Sequence, residues 1–277
     1  MTAEADHAAL IRLFHVHRHF HATRALTDIT LDFYRNEFLF VTGPSGAGKT
    51  TLLKLLYRGE VASQGQILVD GMNLARIPRK KIHLLRRKFG IIFQDYKLIP
   101  TRTVYENVAL VLEAAGRKSD YIRKKVQSVL RIVGMDKRQD TLPPNLSGGE
   151  QQRVAVARAV VGDPTIILAD EPTGNLDSRT SREVMRLLQR LKNDGTTVVM
   201  VTHDPAVAER VFTALCMAAP HLEPRALHLG RAMVYAGLAR AHQVLGEARY
   251  AEAALRAARA QVVEAEAAIE LILVVGD

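Results

Sequence analysis

Three features of the sequence predict an α/β fold carrying an Ala-rich, all-α C-terminal extension. Short β-branched apolar runs alternate with longer amphipathic stretches from Ile11 to Thr202, the alternation that sets helices against a sheet. A glycine-rich loop at 43–48 falls between one of those runs and a helical stretch. After about Pro205 the composition changes, since every lysine lies at or before Lys192 and the remainder is dominated by Ala, Arg, Glu, Leu and Val.

In chain order, strands are expected at Ile11–Phe14, Ile29–Phe33 and Phe38–Val41, each a short run of β-forming residues. A helix should follow Gly48, then strands at Gln66–Val69 and Gly90–Phe93. Helices opening at Thr103 and near Ser119 begin with residues suited to capping. A further helix after Gly149 leads to a strand at Ile166–Ala169, a helix near Ser178 and a strand at Thr197–Val201. A last helix near Pro205 uses proline where a first turn tolerates it. The expected organisation is a domain at 1–205, with a helical subdomain at about 95–160, followed by a helical extension at 206–277. Within the extension Tyr235, Ala239, His242, Gly246, Ala251, Leu255 and Ala258 approach the spacing of one tetratricopeptide-type helix pair at about 225–260, turning at Gly246. A single such unit cannot bury both faces, so it should dock on the first domain or pair with another chain.

With 277 residues, 48% of them hydrophobic, the chain can build a sizeable core, and disorder is excluded as a default. A formal charge of +9 suits nucleic acid, an anionic membrane surface or phosphate ligands equally well. The lone Cys216 excludes an internal disulfide and reads as a small buried hydrophobe in a reducing compartment such as the cytoplasm. Met1 to Leu10 carries Glu4, Asp6 and His7 with no apolar core, unlike a secretory signal, and no run of about eighteen apolar residues occurs. Any membrane role is therefore expected to come through a partner.

The loop Gly43-Pro44-Ser45-Gly46-Ala47-Gly48-Lys49-Thr50-Thr51 stands between the apolar run Phe38–Val41 and a helix start. Glycines let such a loop turn its N–H groups inward, and the helix N-terminus adds partial positive charge, so a polyphosphate is held mainly by backbone. Lys49 is expected to reach the β- and γ-phosphates, and the Thr50 hydroxyl to bind Mg²⁺, which prefers hard oxygen ligands. A second apolar run, Ile166 to Ala169, delivers Asp170 and Glu171 to its C-terminal end, where ligands gather in open α/β sheets. Asp170 is expected to hold Mg²⁺ through water, and Glu171 to orient the attacking water and accept its proton. Together these residues describe a site for a nucleoside triphosphate with Mg²⁺.

A phosphate loop alone leaves kinases, GTPases, helicases and other ATPases open. In Leu146-Ser147-Gly148-Gly149-Glu150-Gln151-Gln152-Arg153, shortly before the Asp170 strand, Ser147 and two glycines open a second anion-binding helix start, and it is the likeness of this run to a family signature that narrows the choice. On this run the chain resembles ABC ATPases. The resemblance implies a P-loop ABC-type nucleotide-binding domain working as an ATP-dependent homodimer, in which the glycine loop of one copy faces the Ser147 segment of the other across one ATP. It further implies that Gln94 senses Mg²⁺ and the γ-phosphate and couples them to a membrane partner. By the same likeness Asp177 crosses the dimer interface, His203 positions Glu171, the water and the γ-phosphate, and Phe20 stacks on adenine.

The runs Phe93 to Pro100, Thr103 to Val108, Leu55 to Arg58 and Leu168 to Asp177 resemble the FtsE family of bacterial cell-division ATPases, over about residues 10–205. That likeness implies an FtsX-like integral membrane partner and a peripheral location on the cytoplasmic face of the inner membrane. Lipoprotein-releasing and macrolide-efflux ATPases share the Leu168–Asp177 run and are the alternative. The basic runs Arg79-Lys80-Lys81, Arg86-Arg87-Lys88 and Arg123-Lys124-Lys125 suit contact with the inner membrane surface or serve as solvated faces. A DNA-acting ABC ATPase would use the charge on nucleic acid, but such proteins interrupt the cassette with a coiled coil, whereas here its halves are contiguous. A scaffold without turnover is disfavoured by the joint presence of Gln94, Glu171 and His203. After His203 the sequence departs from the family pattern.

Overall fold

A computed structural model of the chain describes residues 9–21, 23–42, 45–202 and 272–273. The elements run β1 (Ile11–Phe20), β2 (Thr23–Phe33), β3 (Phe38–Thr42), α1 (Lys49–Leu56), β4 (Gln64–Val69), β5 (Met72–Asn73), α2 (Ile82–Arg86), β6 (Phe89–Ile92), α3 (Val104–Ala114), α4 (Ser119–Ile132), α5 (Gly148–Val160), β7 (Ile166–Asp170), α6 (Ser178–Asn193), β8 (Thr197–Thr202) and β9 (Ile272–Leu273). The described parts fall into two compact units, one containing 9–33 and 39–75, the other 34–38 and 76–200.

In the first unit an antiparallel sheet runs β2-β1-β4-β5. β1 begins with strict alternation, Ile11 and Leu13 buried and Arg12 and Phe14 exposed, as expected of a sheet with one covered face. Sequence reading ends this strand at Phe14, yet it continues to Phe20. His15 takes φ 46°, and register shifts between Leu13 and Val16, Val16 and Arg18, and Arg18 and His19 interrupt the alternation without ending the pairing. Bulges of this kind hide a strand from any period-two reading. β2 is likewise longer than its β-branched half, because Leu26, Arg24 and Thr23 pair with Arg18, His19 and Phe20. In α1, Leu52, Leu53, Leu55 and Leu56 are buried.

The second unit holds β6 and β7, which pair in parallel with Phe89 to Ile92 in register with Ile166 to Ala169, and β8 as far as Met200. All of β8 and the first four residues of β7 are buried, the mark of a sheet covered on both faces. Three helices, α3, α4 and α5, pack on one another between β6 and β7 in sequence. The buried Asn107 ties the entry to α3: it accepts from Ile99 N at 2.8 Å and donates to the carbonyls of Ile99, Arg102 and Thr103 at 3.1, 2.9 and 3.0 Å.

The short elements β5 and α2 were absent from the sequence reading, being too brief to show a period. The helix expected near Pro205, the helix pair at 225–260, Cys216 and nearly all of 206–277 lie outside the described residues. Within the extension expected to be all-helical, Ile272 and Leu273 form a strand that pairs in parallel with Val41 and Thr42. Among the described residues no helix is long and apolar enough to cross a membrane.

Candidate functional site

Two constellations of the expected residues are present, one in each unit. In the first unit β3 delivers the chain to the glycine loop, of which Gly43 and Pro44 lie outside the described residues. Ser45 to Gly48 turn into α1, with Gly46 at φ 86° and Gly48 at φ 84°. These positive angles favour glycine, and Gly48 has a second reason: a Cβ there would lie 2.2 Å from the Ala25 carbonyl oxygen. Gly48, the N-cap of α1, has no side chain with which to cap the helix, and the start of a helix carries the partial positive charge that anions seek. Lys49 is only 5% exposed, while Thr50 is exposed and Thr51 and Ala47 are half-buried and buried.

Phe20, expected to stack on adenine, ends β1 with 36% exposure. The Arg18 guanidinium lies over its ring, 4.2 Å from the centroid, and is itself held by Glu60 at 2.7 Å. The aromatic ring is thus fixed from one side by a cation. Sequence reading missed Arg18 and Glu60, which nothing local distinguishes from surface charges.

In the second unit β7 ends at Asp170, and the chain reverses at Glu171, whose φ is 46°. Gln94, just past β6, donates from Nε2 to Glu171 Oε2 at 3.2 Å, and its own carbonyl accepts from Asn175 Nδ2 at 3.3 Å. With its N–H₂ turned to Glu171, Gln94 keeps Oε1 as a hard oxygen donor. Within this unit the Gln94 amide oxygen and the Asp170 carboxylate are hard oxygen donors of the type Mg²⁺ prefers, and in the first unit the Thr50 hydroxyl is another.

Helix α5 starts at Ser147 through a capping box. The Ser147 hydroxyl accepts from Glu150 N at 3.3 Å and donates to Glu150 Oε2 at 3.0 Å, and Ser147 N donates to the same carboxylate at 2.9 Å. That N–H, more than the serine hydroxyl or Arg138 and Arg153, holds the Glu150 carboxyl below its usual range. Glu150 therefore occupies the positive end of α5 as an intrinsic anion, and a phosphate arriving there must share the Ser147 donors with it.

The two glycines of this segment are set by neighbours. A Cβ on Gly148 would lie 3.1 Å from the Tyr96 hydroxyl, and one on Gly149 would lie 2.5 Å from Thr180 Cγ2. Asp177 caps α6, accepting from Arg179 N at 2.9 Å, Thr180 N at 3.0 Å and the Thr180 hydroxyl at 2.6 Å. These bonds, the Thr180 hydroxyl first, pull its pKa down. Gln152, buried in α5, donates to the Pro172 carbonyl at 2.6 Å. Gln94, Glu171, Asp177 and the Ser147–Glu150 segment are therefore brought together in one unit by direct bonds and close approaches. His203 lies outside the described residues.

Residues 26–174 match the family described as ABC transporter. The chain is 49% identical over 184 residues to the cell division ATP-binding protein FtsE of Bacillus subtilis (strain 168), covering 66% of this chain and 81% of that protein. Among solved structures it is similar to a dimeric post-hydrolysis state of the ATP-binding cassette MJ0796 bound to ADP and Pi, at 36% identity and TM-score 0.67, covering 72% of this chain and 90% of the other. It is also similar to cbiO1 from Clostridium perfringens, part of the ABC transporter complex cbiONQ, at 30% identity and TM-score 0.67 over 73% and 82% of the two chains.

Proposed function

Since the chain belongs to the ABC transporter family, as an ATP-binding and ATP-hydrolysing subunit, we propose that two copies close head to tail on ATP and that this closure drives an integral membrane partner. One observation carries the reading: a single chain presents two helix starts suited to anions, Gly48-Lys49 and Ser147-Gly148. Two copies could then offer each triphosphate one of each kind. The dimeric state of MJ0796 with ADP and Pi supports such an assembly.

In this reading the loop Gly43 to Thr51 holds the phosphates by backbone and Lys49, Ser147 to Glu150 and Asp177 act across the dimer, and Phe20 stacks on the base. Thr50, Gln94 and Asp170 hold Mg²⁺, which when bound neutralises charge developing on the phosphate oxygens. Glu171 accepts a proton from the water whose oxygen attacks the γ-phosphorus, while the bond to the bridging oxygen breaks and ADP leaves. The bond from Gln94 aims the Glu171 carboxylate, and His203 steadies the water.

The relatives' role in cell division makes an FtsX-like membrane protein the partner of choice, with the chain on the cytoplasmic face of the inner membrane. Between Gly71 and Gln94 there is no acidic residue and there are seven lysines and arginines. Arg79, Lys80 and Lys81 are exposed on a short 3-10 turn, and Leu84 beside them is 46% exposed. Such a face suits anionic headgroups at about 1 kcal/mol per basic residue. The division into an ATPase domain at 1–205 and an accessory extension at 206–277, which docks on that domain or pairs with another chain, is part of the same proposal.

The test is Glu171→Gln in the full chain. Dimers should form with saturating Mg-ATP, and turnover should fall at least about 100-fold, the usual loss of a general base. Unchanged turnover removes Glu171 from this role, and a variant that stays monomeric with Mg-ATP removes the shared site.

A further inference from the structure

Directly after Gln94 the backbone does something that its sequence does not announce. Tyr96 and Lys97 take φ 58° and 48°, two successive left-handed residues, neither of them glycine. Both carry the steric penalty of this region for a side chain with a Cβ, and neither has the short polar side chain that eases it. Strain of this kind persists only where surrounding bonds over-determine it.

Locally the turn is held by Tyr96 N donating to the Phe93 carbonyl at 3.2 Å, Lys97 N donating to the Asp95 carbonyl at 2.5 Å and the Lys97–Asp95 ion pair, and from α5 it is held by one side chain. Arg158, two turns beyond Gln151 on α5, donates from Nη2 to the Tyr96 carbonyl at 2.6 Å and from Nη1 to the Lys97 carbonyl at 2.5 Å. A planar guanidinium can span two adjacent carbonyls as no ammonium can. The same turn also reaches the start of α5, where the Tyr96 hydroxyl lies 3.1 Å from the position of a Cβ on Gly148. It is therefore fixed against α5 at residues ten apart, about 15 Å of helix rise. At its other end the turn leads back to Gln94, whose amide holds Glu171.

We infer that Arg158 is a positioning residue that clamps the Gln94 loop along α5, so that the aim of Gln94 on Glu171 and the placement of the Ser147 helix start are set together. This rests on the reading above that Glu171 and Ser147 serve one ATPase cycle. Arg158 touches no reacting atom. Its removal lets the Tyr96–Lys97 turn relax out of the left-handed region, which withdraws Gln94 and frees the helix start, while the glycine loop in the other unit keeps its own hold on phosphate.

The experiment uses the full chain with Arg158→Ala, Arg158→Lys and the double variant Arg158→Ala/Lys97→Gly. Arg158→Ala should lower kcat tenfold or more with KM and the affinity for a fluorescent ADP analogue within twofold. Arg158→Lys should fall between, since it reaches one carbonyl at a time. Lys97→Gly supplies a residue that takes positive φ without penalty, so it should restore at least threefold of the lost kcat although it removes the Lys97–Asp95 ion pair. Amide exchange at residues 96–98 should quicken in Arg158→Ala. The clamp is overturned if kcat stays within twofold, if glycine restores nothing, or if exchange is unchanged. Should the unaltered chain fail to hydrolyse ATP, the functional reading falls, and the exchange at 96–98 still decides the clamp by itself.

Discussion

Gly46 and Gly48 offer a controlled comparison of two reasons for glycine in one loop. Both take nearly the same positive angle, 86° and 84°, so alanine at either pays a left-handed backbone penalty of about 1–2 kcal/mol. Their surroundings differ. A Cβ on Gly46 meets nothing within 4 Å, whereas one on Gly48 would lie 2.2 Å from the Ala25 carbonyl oxygen and 2.9 Å from Leu26 Cδ2. The oxygen belongs to the backbone of β2 and cannot swing away, so relief requires displacing the start of α1 or the strand. Forcing extra volume into such a place costs about 1–3 kcal/mol more. Urea unfolding of the full chain should therefore show Gly46→Ala losing about 1–2 kcal/mol and Gly48→Ala about 2–5 kcal/mol. If displacement of α1 absorbs the overlap, the extra loss appears instead as weaker Mg-ATP binding, tenfold or more beyond that of Gly46→Ala. Two variants equal to within about 0.5 kcal/mol in stability and equal in ATP affinity would refute the close-approach argument.

Gly149→Ala should impair stability and turnover through its 2.5 Å overlap with Thr180 Cγ2, and Thr180→Ser, which deletes that methyl but keeps the hydroxyl on Asp177, should recover about 1 kcal/mol in a double-mutant cycle; additivity would show that the two do not meet. The lowered pKa of Asp177, caused first by the Thr180 hydroxyl and then by its N–H, gives a pH signature. A depressed carboxylate stabilises the fold fully above its unfolded pKa of about 3.9 and loses that contribution as pH falls through the lower folded value. Asp177→Asn keeps a capping oxygen that does not titrate, so melting curves should show wild type ahead at pH 6 and the gap closing in acid. A gap independent of pH would sink that account.

Much of the site was readable because its chemistry is local in sequence. The glycine loop, the Asp170-Glu171 pair closing an apolar strand and the start of α5 at Ser147 each sit inside a stretch of about ten residues whose spacing carries a physical demand. The same holds for α3, where Thr103 and Glu106 form the capping box that marks its start. What stayed hidden depends on partners distant in the chain. β1 continues past Phe14 only because β2 and β4 pair with it through its bulges. Arg158 looks like any helical arginine until the left-handed turn at Tyr96 and Lys97 is known, and no glycine there gives the turn away. Glu150 reads as part of a phosphate-binding segment, yet its carboxylate already fills the capping box at that helix start.

That last point changes how the Ser147 segment should work. A helix tip whose partial charge is already met by its own carboxylate gains less from a phosphate than a bare one does. On the proposed function the glycine loop, whose N-cap Gly48 has no side chain to fill the helix start, is expected to be the stronger of the two sites and to take nucleotide first. The Ser147 tip, weaker and held between Tyr96 at Gly148 and Thr180 at Gly149, is then suited to respond to nucleotide already bound elsewhere, because small movements of the Gln94 and Asp177 loops bear directly on its two glycines. Tight binding at one helix start and conditional binding at the other is the asymmetry a dimer needs if ATP is to close it and hydrolysis is to open it again.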